Sequence, residues 1–193
     1  LSDSNILVIF YSRGGLTERL AVLLAEGAIQ GGAYIRLRRS RDMMPEELIA
    51  ADPAWAANRD RMHDEFATPR IQDVEWADVI AFGTPAAPAA TSPELATTLA
   101  LIGLQIPPDV LRGKGATAFT SSYSHEKGTE LAATDLGSRL LQLGFVTLPR
   151  PASLATPGAS DVTSLEYETA RVHGRLAASL GRKLRGWRDQ PTA

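Results

Sequence analysis

Asn5–Glu26 reads NILVIFYSRGGLTERLAVLLAE, and the fold is decided there. Asn5 to Phe10 is a short apolar run rich in β-branched residues, as expected of a strand buried on both faces. Ser12, Arg13, Gly14, Gly15, Leu16 and Thr17 follow, after which Leu16, Leu20, Leu23 and Leu24 recur at helical spacing. A buried strand that turns through serine and glycine into a helix start presents unpaired backbone N–H groups and the positive end of the helix dipole to one point, which suits an anion. Ser12 and Thr17 add hydroxyls, and the two glycines admit a close approach of the backbone. The plain alternative is an ordinary strand-to-helix turn, in which Gly and Ser are common.

Outward from that stretch the chain alternates strands and helices. Gly31 and Gly32 close the first helix, and Ala33 to Arg38 reads as a second strand with Tyr34, Arg36 and Arg38 on one wet face, as on a sheet edge. Ser40 to Ala67 is a long excursion with short helical pieces, Pro45 near a helix start and Pro53 at a break. Val79 to Thr84 is a third strand. A loop from Pro85 to Pro93 leads to a helix ending near Ile102, with Thr91 or Ser92 as its cap. Gly103 to Lys114 reads as a loop, Gly115 to Ser121 as the fourth strand and Ser122 to Thr129 as a polar loop. A helix then runs to about Leu143, closed by Gly144. Phe145 to Leu148 is the fifth strand, Pro149 to Asp161 a connection, and Val162 to Arg185 a last helix. Leu165, Val172, Leu176, Leu180 and Leu184 read as the buried stripe of that helix.

Five strands separated by helices imply parallel crossover units, hence an α/β three-layer sandwich. The expected arrangement is a flavodoxin-like five-stranded parallel sheet in the order 2-1-3-4-5, with residues 1–193 as one domain and a loosely ordered tail from about 186. Ligands of such sheets sit beyond the carboxyl ends of the strands at the switch point between strands one and three. That gathers three loops, Ser12–Thr17, Thr84–Pro93 and Ser121–Gly128.

Composition narrows the function classes. The 193 residues carry 20 Lys and Arg against 22 Asp and Glu, a formal net charge of −2, so no overall basic field favours nucleic acid. The basic stretch Arg182 to Arg188 reads as a helix end complementing the dipole. With no cysteine there is no disulfide, thiol chemistry or Cys-based metal site, which fits a cytoplasmic protein. No apolar stretch is long enough to span a membrane, and LSDSN at the start lacks the features of a secretory signal. His63, Asp64 and Glu65 are adjacent on one helix and do not converge as metal ligands should, so no metal is expected. Ser121 or Ser122 with His125 and Asp135 lacks the G-x-S-x-G context of a hydrolase triad. Gly113-Lys114-Gly115 precedes a strand where a nucleotide loop would follow one. His125 reads as an exposed loop residue before a ligand contact, His173 as surface or interface, and Trp55, Trp76 and Trp187 as packing residues.

The chain resembles the WrbA-type NAD(P)H:quinone oxidoreductases, a flavodoxin-like family that binds FMN. The resemblance is carried by ILVIFYS with its glycine loop, EWADVIAFGTP, LRGKGATAFTSS followed by KGTE, a glycine before the fifth strand, and ARVHGRLAASLGRKLRG. It spans nearly the whole chain. It implies that Ser12, Arg13, Gly14, Gly15, Leu16 and Thr17 form the FMN phosphate loop. It further implies that Thr84, Pro85, Ala86, Ala87 and Pro88, with Ser121, Ser122, Tyr123 and Gly128, border the flavin. Glu130 would complete the glycine–glutamate step. NAD(P)H would be the electron donor and a quinone the acceptor, in a homo-oligomer that is a dimer or tetramer. The cofactor carries the chemistry, so no catalytic side chain is assigned.

Departures from the family pattern cluster at the flavin ring. Ala86, Ala87, Pro88 and Ala89 stand where the family has Thr-Arg-Phe-Gly. Ile106 stands near an expected Trp, Leu143 near an expected His, and Tyr123, His125, Glu126 and Lys127 replace glycines. A flavodoxin-fold binding or regulatory protein without redox turnover, and a phosphate-ester ligand other than FMN, are therefore the competing expectations.

Overall fold

The structure, a computed structural model, describes residues 3–86, 91–121, 128–149 and 164–188. β1 (Ser4–Phe10), β2 (Ala33–Arg39), β3 (Val79–Pro85), β4 (Gly115–Ser121) and β5 (Val146–Thr147) form one parallel sheet in the order β2-β1-β3-β4-β5, as expected. Side chains alternate across a strand, so each central strand feeds two cores. Ile6, Val8 and Phe10 of β1 join Val79, Ala81 and Phe119 on one side, beneath α1 (Leu16–Gln30) and the last helix, α8 (Ser164–Arg188). Leu7 and Ile9 join Ile80, Phe82, Ala116 and Ala118 on the other, beneath α4 (Ile71–Trp76), α5 (Pro93–Gln105) and α7 (Gly128–Gln142).

The excursion after β2 resolves into α2 (Glu46–Ala50) and α3 (Pro53–Glu65), the latter capped by Asp52, which accepts from the Trp55 amide at 3.1 Å. Two helices were not anticipated: α4, and α6 (Pro108–Leu111) inside the segment expected to be a loop. With 6 and 4 residues respectively, neither is long enough to display a helical period. β5 is shorter than expected, and α5 and α8 run three residues further than read from the sequence.

The expected leucine stripe of α8 is corrected in part. Val172 is 40% exposed and Leu176 52% exposed, while Ala170, His173, Ala177 and Ala178 are buried; the Leu165 side chain lies outside the described ones. Small residues face α1 because the two helices meet backbone to backbone. A Cβ on Gly27 would strike the Arg171 carbonyl, and one on Gly174 the Leu24 carbonyl. Bulky side chains cannot enter a contact that close, so Val172 and Leu176 turn outward, while Leu180 and Leu184, further along α8, pack against β4 at Gly115 as expected.

His173 is likewise buried, at 2% exposure, with its Nε2 2.6 Å from Thr117 Oγ1. Burial depresses its pKa to about 4. Trp187, read as a packing residue, is 63% exposed, whereas Trp55 is buried and Trp76 lies under the Arg36 guanidinium at 4.1 Å.

At the opposite end from the loops, Asp78 accepts from the Asn5 amide at 2.9 Å and pairs with Arg185 and Arg188. Those arginines belong to the basic stretch read as a dipole partner. They tie α8 to the base of the sheet. No helix among the described residues is long and apolar enough to cross a membrane.

Candidate functional site

β1 ends at Phe10 and the backbone then leaves the sheet, with the Tyr11 amide still donating to the Gly83 carbonyl at 3.0 Å. Ser12 is buried, and its hydroxyl accepts from the Gly15 amide at 3.0 Å, closing a tight turn. Gly15 sits at φ 91° as the N-cap of α1, and no side chain caps that helix. The loop thus directs the amide end of α1 toward the carboxyl ends of the strands, with the Gly15 amide held by Ser12 and no side chain capping the helix. A phosphate oxygen is the complementary group.

Thr17, one turn into α1, brings its hydroxyl 2.7 Å from the hydroxyl of Ser121 at the end of β4. The first and third of the expected loops therefore meet, although 104 residues separate them. The second joins them through β3. The Ala86 amide donates to the Ser121 carbonyl at 2.6 Å, and the Thr84 hydroxyl accepts from the Ser92 amide at 3.0 Å. Ser92 in turn caps α5, accepting from the Leu95 amide. The Thr91 amide donates to Asp135 of α7 at 3.1 Å. Asp135 also pairs with Arg139, so it is a strut between α7 and the loop after β3.

Of the residues expected at the site, Ser12, Gly15, Thr17, Thr84, Pro85, Ala86 and Ser121 fall on these three loops. Leu16 opens α1 and is buried in the core, and Gly128 opens α7. Arg13 turns away: its guanidinium stacks on Trp55 at 3.9 Å and pairs with Asp52 at 3.0 Å. Ala87, Pro88, Ser122, Tyr123 and His125 lie outside the described residues. Among the described residues no group of three or more acidic or imidazole side chains could hold a metal.

Beneath the loop lies a polar cluster that sequence reasoning missed. The buried Arg39 Nη2 donates to the Ser12 carbonyl at 3.3 Å and to Asp42 at 2.7 Å, while its Nε has no hydrogen-bond partner among the described residues. Asp42 also accepts from the Tyr11 hydroxyl at 3.0 Å and from Trp55 Nε1 at 3.2 Å. Burial, then the nearby Glu94 and Asp42 carboxylates, raise the Tyr11 pKa, which keeps its hydroxyl a donor. A signal was present: Arg39 has the opposite strand parity to Arg36 and Arg38, so it is an arginine at an inward position. At the start of α1, Glu18 is held by Arg61 through two contacts of 2.6 and 2.7 Å. Arg13, Arg39 and Arg61 are each paired with a carboxylate. An anion here would accordingly be held by backbone amides and hydroxyls, with little net side-chain charge.

The comparisons agree with this geometry. No protein-family model matches the chain. It is 26% identical over 195 residues to a protein of Archaeoglobus fulgidus named NAD(P)H dehydrogenase (quinone), covering 94% of this chain and 99% of that protein. A Methylocella silvestris protein of the same name is 29% identical over 206 residues, covering 95% of this chain and all of the relative. Among solved structures, the chain matches a WrbA-like flavodoxin from Agrobacterium tumefaciens with a TM-score of 0.65 at 23% identity, over 93% of this chain and 98% of the other. Oxidised flavodoxin 1 from Bacillus cereus matches with a TM-score of 0.62 at 18% identity, over 93% and 98%. The resemblance read from the sequence is thus met again in whole-length relatives, and the flavodoxin-like fold in the solved structures.

Proposed function

We propose that this chain is an FMN-dependent NAD(P)H:quinone oxidoreductase. The observation that carries the reading is the turn from β1 into α1. Gly15 in the left-handed conformation caps a helix that lacks a side-chain cap, flanked by the buried hydroxyls of Ser12 and Thr17 at the sheet's switch point. The relatives named NAD(P)H dehydrogenase (quinone) support an enzyme over a binding protein of the same fold.

The residues present fit the phosphate end of FMN. The amides at the start of α1 and the Thr17 hydroxyl would hold the phosphate, with Ser121 fixing the Thr17 hydroxyl from β4. Arg39 holds the loop from below through the Ser12 carbonyl. Thr84, Pro85 and Ala86 would border the ring, and β3–β4 pairing through Pro85 and Ser121 keeps the second and third loops in register. FMN, when bound, supplies hydride transfer between NAD(P)H and a quinone. The protein's part is to hold the cofactor, orient it and restrict water.

The test is the visible spectrum of the purified chain with added FMN, followed by NADH and NADPH oxidation with a benzoquinone as acceptor. The expected result is a perturbed flavin spectrum and quinone-dependent turnover. A flavin spectrum identical to that of free FMN, with no turnover, would reject the reading.

A further inference from the structure

Tyr11, Ser12 and Arg13 lead from β1 into the loop, and all three are held from outside it. Tyr11 donates its hydroxyl to Asp42 Oδ1 at 3.0 Å, and Trp55 Nε1 donates to the same oxygen at 3.2 Å. On the other side of Ser12, the Arg13 guanidinium lies over the Trp55 ring at 3.9 Å and donates to Asp52 Oδ2 at 3.0 Å. Asp52 Oδ1 in turn accepts from the Trp55 amide at 3.1 Å. Trp55 belongs to the first turn of α3, not to the loop, yet contacts from both sides of Ser12 converge on it.

A tryptophan that only filled space would need neither a partner for its indole N–H nor a cation on its face. Trp55 is 6% exposed and commits both to the flanks of Ser12. The helix that carries it is fastened mainly by polar contacts. Of the 13 residues of α3 only Trp55 and Met62 are buried, and its last turns are tied to α1 through the Arg61–Glu18 pair. An anion received by backbone amides gains most when those amides are fixed before it arrives. Ordering one backbone residue on binding would weaken affinity by about tenfold.

We propose that Trp55 is a positioning residue for the ligand of this loop: from α3 it fixes Tyr11 and Arg13, and so presets the turn that receives a phosphate monoester. The inference rests on the phosphate reading of the loop and adds to it a dependence on α3. Arg13 serves as a tether of the loop and not as a latched phosphate ligand.

The experiment is titration of the full chain with FMN and with riboflavin, followed by flavin fluorescence, for the native protein, Trp55→Leu, Trp55→Phe and Asp52→Asn. Trp55→Leu is expected to weaken FMN by about tenfold or more and riboflavin by less than about twofold. Trp55→Phe, which keeps a ring beneath Arg13, should recover part of that loss. Asp52→Asn keeps a capping side chain on α3 at a position 42% exposed, so it tests the network should Trp55→Leu fail to fold. It also removes a negative charge near the loop and frees Arg13. Simple attraction would then tighten FMN, whereas loss of the tether should weaken it by about two- to fivefold. Equal weakening of FMN and riboflavin in Trp55→Leu, or unchanged or tighter FMN binding in Asp52→Asn, would overturn this inference alone. A native chain that does not prefer FMN to riboflavin would overturn the phosphate reading, and this inference with it.

Discussion

Gly15 combines two demands on one residue. Its φ of 91° is in the region that side-chain-bearing residues enter at a cost of about 1–2 kcal/mol. Among the described residues its added Cβ would meet only the Glu18 carboxylate, at 3.7 Å. Gly15→Val is expected to lower stability by about 2 kcal/mol and to abolish FMN binding by placing a branched side chain where the phosphate would sit. Urea unfolding and flavin fluorescence titration measure the two effects separately. Retained FMN affinity would remove the loop from the site.

His173 makes a prediction in pH. Its folded pKa of about 4 lies below its ordinary value of 6.5, so the unfolded chain binds more protons between those values. This contribution to stability is complete above pH 6.5 and is lost progressively as pH falls toward 4. The loss amounts to about 3 kcal/mol over that window. Denaturation midpoints measured from pH 7 to 4.5 should fall for the native chain and stay flatter for His173→Gln, which keeps a group able to bond Thr117. Identical slopes would assign the acid sensitivity elsewhere. The sequence could not show this, because a lone histidine among Ala170, Gly174 and Ala177 reads as a polar interruption. Only the approach of Thr117 from β4 makes its burial tolerable.

At the scale of elements, the α1–α8 contact is decided by residues too small to register as a hydrophobic pattern. Periodicity counts large apolar side chains, and α8 has a leucine series that points partly to solvent while glycine and alanine face α1. A helix face selected by closeness, not by apolar bulk, is misread by any rule that searches for leucines. Gly174→Ala should therefore cost about 3 kcal/mol or more, since the new methyl would overlap the Leu24 backbone and neither helix can retreat without opening the core. Gly137→Ala, on α7 with nothing within 4 Å, should instead stabilise by up to about 1 kcal/mol from helix propensity. Equal effects of the two substitutions on thermal midpoint would refute the tight seam. The strands were legible for the opposite reason. Val79–Thr84 and Gly115–Ser121 are short apolar runs bounded by turns, which is how doubly buried parallel strands read. The phosphate loop was legible because its geometry is local. The Arg39–Asp42–Tyr11 cluster was not, since it joins residues from β1 and beyond β2 that only the sheet brings together.

For the whole molecule, the site is a junction of β1, β3 and β4, so a ligand there stabilises contacts that span most of the chain. Thr17 on α1 meets Ser121 on β4, and Thr91 before α5 meets Asp135 on α7. A ligand that binds only the folded state adds RT ln(1 + [L]/Kd), about 2.7 kcal/mol at a hundredfold excess over Kd. For a chain of this size, that corresponds to a rise in Tm of about 5–10 °C. FMN is expected to produce such a rise. Riboflavin, which has the same ring and no phosphate, should produce far less, because on the proposed reading the donors of Ser12–Thr17 hold the phosphate and Ala86, Ala87, Pro88 and Ala89 bring no side-chain donor or aromatic ring to the flavin. Adding inorganic phosphate should compete with FMN and reduce its effect. If FMN and riboflavin raise Tm equally, the ring and not the loop is the anchor, and the role assigned to Ser12, Gly15 and Thr17 fails. If neither raises it while inorganic phosphate does, the loop holds a different phosphate ester on the same fold.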